Sequence, residues 1–354
     1  MYPRVVINIT KLEKNAKIIH QMCIDNEISS CFLVVKVLAG FAPVVRRLAK
    51  IGFTHLADSR IENLIKYKSI PLPKVLIRLP MGSDAKRIVK YADISLNSEL
   101  STIIALNEAA KTQNKVHGII LMFDLGDLRE GIFYQDDFLP IVGEILQLSN
   151  IKLLGIGTNL TCYGGVIPDE QNLNLLGEIK KRIENKYQIK LDIISGGNSS
   201  TLYLFNQNRI PKVINNLRIG EAVFLGRETA YGKPIIGMHG DVFSLRATII
   251  EIQKKPSYPI GNIGFDAFGR APDITDVGMM RRAILAIGRQ DVEIADLIPF
   301  DSRIKIIGGS SDHLIVDLGS TKHKTGDILK FNVNYPGLLR LMTSPYVRKI
   351  LRWK

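Results

Sequence analysis

Along the chain, short apolar runs alternate with longer stretches in which apolar residues recur at helical spacing. After the first run, 5–9, the residues Thr10-Lys11-Leu12-Glu13 have the spacing of a capping box. They predict a helix that opens there and runs to about Asn26. The next run, Cys31 to Lys36, predicts a buried strand, and 42–51 predicts a helix. Further strands are predicted at 54–58, 74–79, 93–96, 117–123, 153–159, 191–195 and 217–219. Helices are predicted between them, among others at 100–112, 138–148 and 170–187. With the run ending in Lys36 this makes eight strands alternating with helices, the pattern of parallel βαβ units. Eight such units predict an α/β fold closed as a (β/α)8 TIM-type barrel.

Beyond Gly232-Lys233-Pro234 the period changes. Runs rich in β-branched residues at 243–252, 283–288, 303–307, 313–318 and 328–333 are separated by Gly, Pro and Asp, which predicts a C-terminal all-β domain. The expected domains are therefore 1–232, the barrel, and 233–354, the β domain. The strand at 5–9 is free to pair with either.

The chain has 354 residues, 46% of them hydrophobic, enough for a large core and a second, smaller one. Its net charge of +13, from 47 basic and 34 acidic residues, would suit an anionic partner. The basic residues are scattered, however, with small groups at Lys180-Lys181-Arg182 and at Arg348, Lys349, Arg352 and Lys354, and no basic stretch is interleaved with aromatics. They read as solvated helix faces, so no nucleic-acid partner is expected. Cys23, Cys31 and Cys162 cannot form a disulfide framework and none has metal-ligand spacing with another, so no metal is expected. Met1-Tyr2-Pro3-Arg4 lacks the character of a secretory leader, and no apolar run approaches the ~18 residues of a membrane span. The expectation is a cytoplasmic protein without a membrane partner.

In a barrel, chemistry collects at the C-terminal ends of the strands. The first end gives Lys36, followed by Val37-Leu38-Ala39-Gly40. Taken alone, a lysine there is most simply a snorkelling side chain. Desolvated at a strand mouth, it also suits an amine that attacks a carbonyl. The fifth end gives Asp124 to Gly131, the sixth Gly157-Thr158-Asn159-Leu160, the seventh Ser195-Gly196-Gly197-Asn198-Ser199-Ser200 and the eighth Arg218-Ile219-Gly220-Glu221. A Gly pair, the donors Asn198 and Ser199, a helix start and the amide of Gly220 together suit a phosphate. Phosphate, strand-end lysine and a neighbouring arginine suggest pyridoxal phosphate (PLP). Lys36 would be its Schiff-base lysine and Arg218 the partner of its pyridine nitrogen; an ion pair of Arg218 with Glu221 or Asp192 is the plainer alternative. An always-protonated arginine cannot hand its proton to the ring, so the ring withdraws electrons more weakly and proton return at Cα is favoured. That selects racemisation over transamination.

Over nearly its whole length the chain resembles the alanine racemase superfamily of PLP enzymes. The resemblance rests on Val-Val-Lys36, Asp124-x-Gly126-x-x-Arg129-x-Gly131, Gly155-x-x-Thr158, Ser195-Gly-Gly-Asn198-Ser199 and Leu217-Arg218-x-Gly220, with Ala286-Ile-Gly288 and Ser311-Asp312-His313 in the C-terminal part. It implies that Lys36 is the cofactor lysine and one-face base, and that Arg218 meets the pyridine nitrogen. It further implies that Ser199 and Gly220 touch the phosphate and that Arg129 lies near the phenolic oxygen; Asn159, Asn198 and Glu221 are further candidates for binding the cofactor. The family's Gly-Tyr-Ala-Asp is here Gly288-Arg289-Gln290-Asp291, so the tyrosine that serves as second base is missing. Its Met-Asp pair is Ser311-Asp312, its phosphate-touching aromatic is Gly40, and its histidine after strand 6 is Asn159. These departures make the chain similar to the ornithine racemase-like branch, which implies a basic amino-acid substrate and a homodimer in which the β domain completes the partner's site. Candidates for the second base are His313, Asp312 and Arg289. Candidates for holding a distal ammonium are Asp291, Asp312 and Glu221. A PLP-dependent decarboxylase of a basic amino acid, a non-catalytic PLP-binding protein and a PLP-free sugar-phosphate barrel are the alternatives.

Overall fold

The computed structural model describes residues 3–266, 268, 269, 271 and 273–353; Met1, Tyr2 and Lys354, part of the motifs above, lie outside them. The chain divides into two units. One runs from Lys11 to Gly240, and the other combines the N-terminal strand β1 (Arg4–Asn8) with the residues from Asp241 onward.

The first unit holds β2 (Ser30–Val34), β3 (His55–Asp58), β4 (Lys74–Leu76), β5 (Ile94–Asn97), β6 (His117–Asp124), β7 (Ile132–Phe133), β8 (Ile151–Gly157), β9 (Ile193–Ser195) and β10 (Asn216–Ile219). Apart from β7, these strands pair in parallel in chain order, and β10 returns to β2 to close the barrel. The short β7 joins β6 through Phe123↔Ile132 and had no signal in the sequence pattern. Side chains two apart on each strand share a face. Phe32, Val34, Ala57, Val75, Ile94, Leu96, Ile120 and Met122 accordingly form one apolar cluster. Because Arg218 pairs with Phe32 across β10 and β2, the arginine stands on that same inner face.

Thr10 does not cap a helix. β1 runs directly into the helix Ile9–Asp25, leaving Thr10 in its first turn, where its hydroxyl donates to the Trp353 carbonyl at 2.9 Å. A reciprocal capping box does form at Asp169, whose carboxylate accepts from Asn172 N while the Asn172 side chain accepts from Asp169 N, opening Glu170–Tyr187.

The second unit contains β11 (Phe243–Pro256), β12 (Met279–Leu285), β13 (Leu297–Pro299), β14 (Lys305–Gly309), β15 (Leu314–Asp317), β16 (Ile328–Val333) and β17 (Arg348–Arg352). Their order is β13-β16-β11-β12-β15-β14, and β1 pairs antiparallel with β11 and parallel with β17. The N-terminal strand therefore belongs to the β sheet. The basic group at 348–352 is a strand rather than a helix face, and the unit also carries a helix, Tyr335–Thr343.

The units part at 240/241 rather than at 232/233. The Gly232-Lys233-Pro234 segment is a tight turn: the Glu228 carboxylate accepts from the amides of Ala230, Tyr231 and Lys233. The following residues are pinned by Asn15, whose side chain accepts from His239 N and donates to the carbonyls of Val223 and His239.

Candidate active site

β2 ends at Val34, and Lys36 opens a single 3-10 turn, Lys36–Leu38, anchored by the fully buried Val37 and Leu38. Lys36 itself is half-buried, and its ammonium has no hydrogen bond or ion pair among the described residues. The turn closes through Ala39 and Gly40, both at positive φ. A Cβ on Gly40 would lie 2.6 Å from Lys66 Cδ and 2.9 Å from Asn63 Oδ1, so the place of the family's aromatic is filled from the neighbouring helix.

Arg218 is 4% exposed. It donates to the Ser195 hydroxyl and, at 2.6 Å, to the Thr158 carbonyl, which joins the ends of β10, β9 and β8. Burial lowers its pKa to about 10, which leaves it charged at neutral pH. The plainer alternative is excluded among the described residues: Arg218 pairs with neither Glu221 nor Asp192, and Glu221 pairs instead with Arg227 at 3.1 Å. Beneath the guanidinium a polar column continues inside the barrel. Ser195 Oγ donates to Asn216 Oδ1 at 2.5 Å, Asn216 Nδ2 lies 3.0 Å from Ser30 Oγ, and Ser30 Oγ lies 3.2 Å from Thr54 Oγ1.

At the end of β9, Asn198 caps the 3-10 helix Ser199–Gln207 by accepting from Ser200 N at 2.8 Å. Ser199 Oγ accepts from Ala222 N at 3.2 Å and Gly220 N at 3.4 Å, so one hydroxyl draws the two strand ends together. Ser200 Oγ and Thr158 Oγ1 are buried without a partner among the described residues. This donor set fits PLP: a free amine at Lys36, a charged donor at Arg218, and hydroxyls with backbone amides at Ser199, Ser200 and Gly220 for a phosphate.

The loop after β6 carries the next layer. Glu130, which the sequence reading passed over, makes a two-pronged pair with Arg129 and accepts from Asn159 Nδ2 at 3.1 Å. Asn159 Oδ1 in turn accepts from Asn198 Nδ2 at 2.9 Å. Asn159 thus links the arginine loop to the phosphate-type turn. Asp127 fixes both loops: fully buried, its carboxylate accepts from the amides of Thr161, Cys162, Tyr163 and Val166 at 3.0–3.2 Å. Asp127→Ala leaves four amides without their acceptor. It should cost about 3 kcal/mol and speed proteolysis within 161–166, read by urea melts and timed digestion.

Two carboxylates border Lys36. Glu221 is raised by burial, opposed by Arg227 and Lys36. Asp58, at the end of β3, is fully buried, and burial raises it to about 6, against the pull of Asn63, the nearby amides and Lys36. A raised carboxyl stabilises the fold fully below about pH 4 and loses that contribution as pH rises through about 6. The ionised form then costs about 3 kcal/mol.

Within the β unit the remaining candidates differ in their surroundings. Gly288 packs against the β14–β15 turn, where a Cβ would come 2.2 Å from the Ser311 carbonyl. Arg289 N and Gln290 N donate to the carbonyls of Ser310 and Ser311, so the two C-terminal motifs form one cluster. The Arg289 guanidinium is held by Glu293 and lies 5.0 Å over the Phe268 ring. Asp312 and His313 are exposed on the turn, Asp312 accepting from Ser311 Oγ at 3.0 Å. Asp291 stands apart, buried and accepting from Ser344 Oγ at 2.5 Å.

Residues 7–228 match the family model of the alanine racemase N-terminal domain. The chain is 49% identical over 353 residues to the ornithine racemase of Acetoanaerobium sticklandii, covering 99% of this chain and 100% of that one. It is 37% identical to the lysine racemase of Thermotoga maritima, covering 99% and 98%. Among solved structures it resembles the alanine racemase from Bartonella henselae with covalently bound pyridoxal phosphate, with a TM-score of 0.75 and 17% identity over 99% of this chain and 100% of that one.

Proposed function

The chain belongs to the alanine racemase family, and from that premise we propose that it interconverts the L- and D-forms of a basic amino acid, ornithine before lysine, with PLP in the barrel mouth. The observation that carries this reading is the pairing of an unpartnered Lys36 with a buried, charged Arg218 at the ends of adjacent strands. PLP bound there supplies an electron-withdrawing ring that makes the substrate's Cα hydrogen acidic.

Lys36 holds the cofactor and carries the proton on one face of Cα. Arg218, charged up to about pH 10, keeps its own proton and so limits the ring's pull, which returns the proton to Cα. Ser199, Asn198 and the Gly220 amide hold the phosphate, while Glu130 and Asn159 hold Arg129 at the other end. The second proton carrier is His313 or Asp312 from the partner subunit of a cytoplasmic homodimer. The exposure of both supports this, as does the engagement of Arg289 by Glu293. Of the three acids considered for a distal ammonium, Asp312 is favoured, because Glu221 is paired with Arg227 and Asp291 is buried against Ser344.

The test is Cα proton exchange by NMR in deuterated water with PLP, offering L-ornithine, L-lysine, L-arginine, L-alanine and L-serine together. Loss of the ornithine Cα signal with D-ornithine appearing is the expected result. Release of carbon dioxide, or no exchange in any of the five, overturns the reading.

A further inference from the structure

Asp58 ends β3 as Val34 ends β2, and these strands are neighbours. Val35 N donates to the Ala57 carbonyl at 2.8 Å, so Lys36 and Asp58 each stand one residue beyond that bond, on adjacent strand ends. The Asp58 carboxylate is 0% exposed. Its Oδ1 is filled by Arg60 N and Asn63 Nδ2, both at 3.0 Å, whereas Oδ2 is buried with no partner among the described residues. The hydroxyl of Tyr67, also fully buried, lies close to the Gly40 backbone and to Asp58. Nothing in the catalytic reading above uses either group, and a buried carboxylate with an unfilled oxygen is costly unless a cation compensates it.

We propose that Asp58 is the counter-charge of Lys36, a positioning residue whose charge, without a direct ion pair, draws the lysine's ammonium to the barrel mouth and favours its charged form until the reaction takes its proton. The other charged and titratable groups around it do not fill the role. Tyr67 cannot supply a cation. Lys66 lays its side chain beside Gly40 and does not figure among the charges acting on Asp58. Glu221, across Lys36, is already paired with Arg227. Lys36 is the cation whose pull on Asp58 is resolved. The arrangement gives Lys36 two settings: charged and drawn toward Asp58, or neutral and free to act. The inference rests on the reading of Lys36 as the proton carrier.

The test uses the full chain without cofactor or substrate, so its failure would leave the proposed function standing. Asp58→Asn keeps an acceptor at Oδ1 and removes only the charge. Competitive acetylation read by peptide mass spectrometry should then show Lys36 roughly tenfold more reactive at pH 8 than in the unaltered chain, with thermal stability at that pH not reduced. The reciprocal arm needs no change at Asp58. In Lys36→Ala the 13Cγ resonance of Asp58 should titrate about one pH unit higher than before. Equal Lys36 reactivity in the first arm overturns the proposal. If Asp58→Asn fails to fold, an unmoved Asp58 titration in the second arm overturns it.

Discussion

Lys36→Ala should abolish the yellow cofactor band and slow Cα exchange by at least about a thousandfold. The size of the effect follows from the two tasks proposed for this one side chain, cofactor attachment and proton transfer on one face. The fold should lose no more than about 1.4 kcal/mol, the cost of a one-unit rise at Asp58 once its counter-charge is gone. Lys36 is half-buried, has no partner among the described residues, and sits on a turn anchored by Val37 and Leu38. The visible spectrum after dialysis against PLP, exchange rates by NMR and a thermal melt decide it. A retained band and a retained rate would remove Lys36 from the chemistry and the PLP assignment with it.

Arg218→Met should cut racemisation by at least about a hundredfold while leaving the melting temperature nearly unchanged. Burying this guanidinium lowers its pKa to about 10, so the fold carries a charge at a cost that an apolar side chain of similar length avoids. Against that relief stands the loss of donors to the Thr158 carbonyl and the Ser195 hydroxyl, together worth about 1–3 kcal/mol. The two nearly offset, and stability stays within about 1 kcal/mol. A large fall in melting temperature alongside the lost activity would make Arg218 a structural residue of the barrel. A buried charge that adds little net stability yet is needed for turnover is expected at a functional site.

Much of the fold was legible because the barrel strands are buried on both faces and read as apolar runs, with helical spacing between them. The strand at 5–9 could not be assigned by pattern, since its partners β11 and β17 lie more than two hundred residues away. The capping box at 10–13 misled because β1 enters its helix without an intervening turn, and the Thr10 hydroxyl found a carbonyl on the C-terminal strand's edge. β17 was hidden by its own composition, as Arg348, Lys349 and Arg352 make it look like a solvated helix face. At the site, Lys36, Ser199 and Arg218 were visible because they lie at or just past the ends of strands. Asp58 obeys the same rule but belongs to a strand whose end was not read. Glu130 and Asp127 act within a loop, where one acid among several carries no positional signal until the loop is folded.

The polar column under Arg218 has a direction. A guanidinium only donates, so Ser195 must pass its hydrogen onward to Asn216, whose amide then donates to Ser30. Thr54 commits its own hydrogen to the Cys31 carbonyl, so Ser30 points its hydrogen at Thr54. Every link is thereby oriented away from the barrel mouth, like diodes in series. The Ser195 hydroxyl therefore has no hydrogen to offer back to the guanidinium, and Arg218 meets a column that only accepts from it at its upper end.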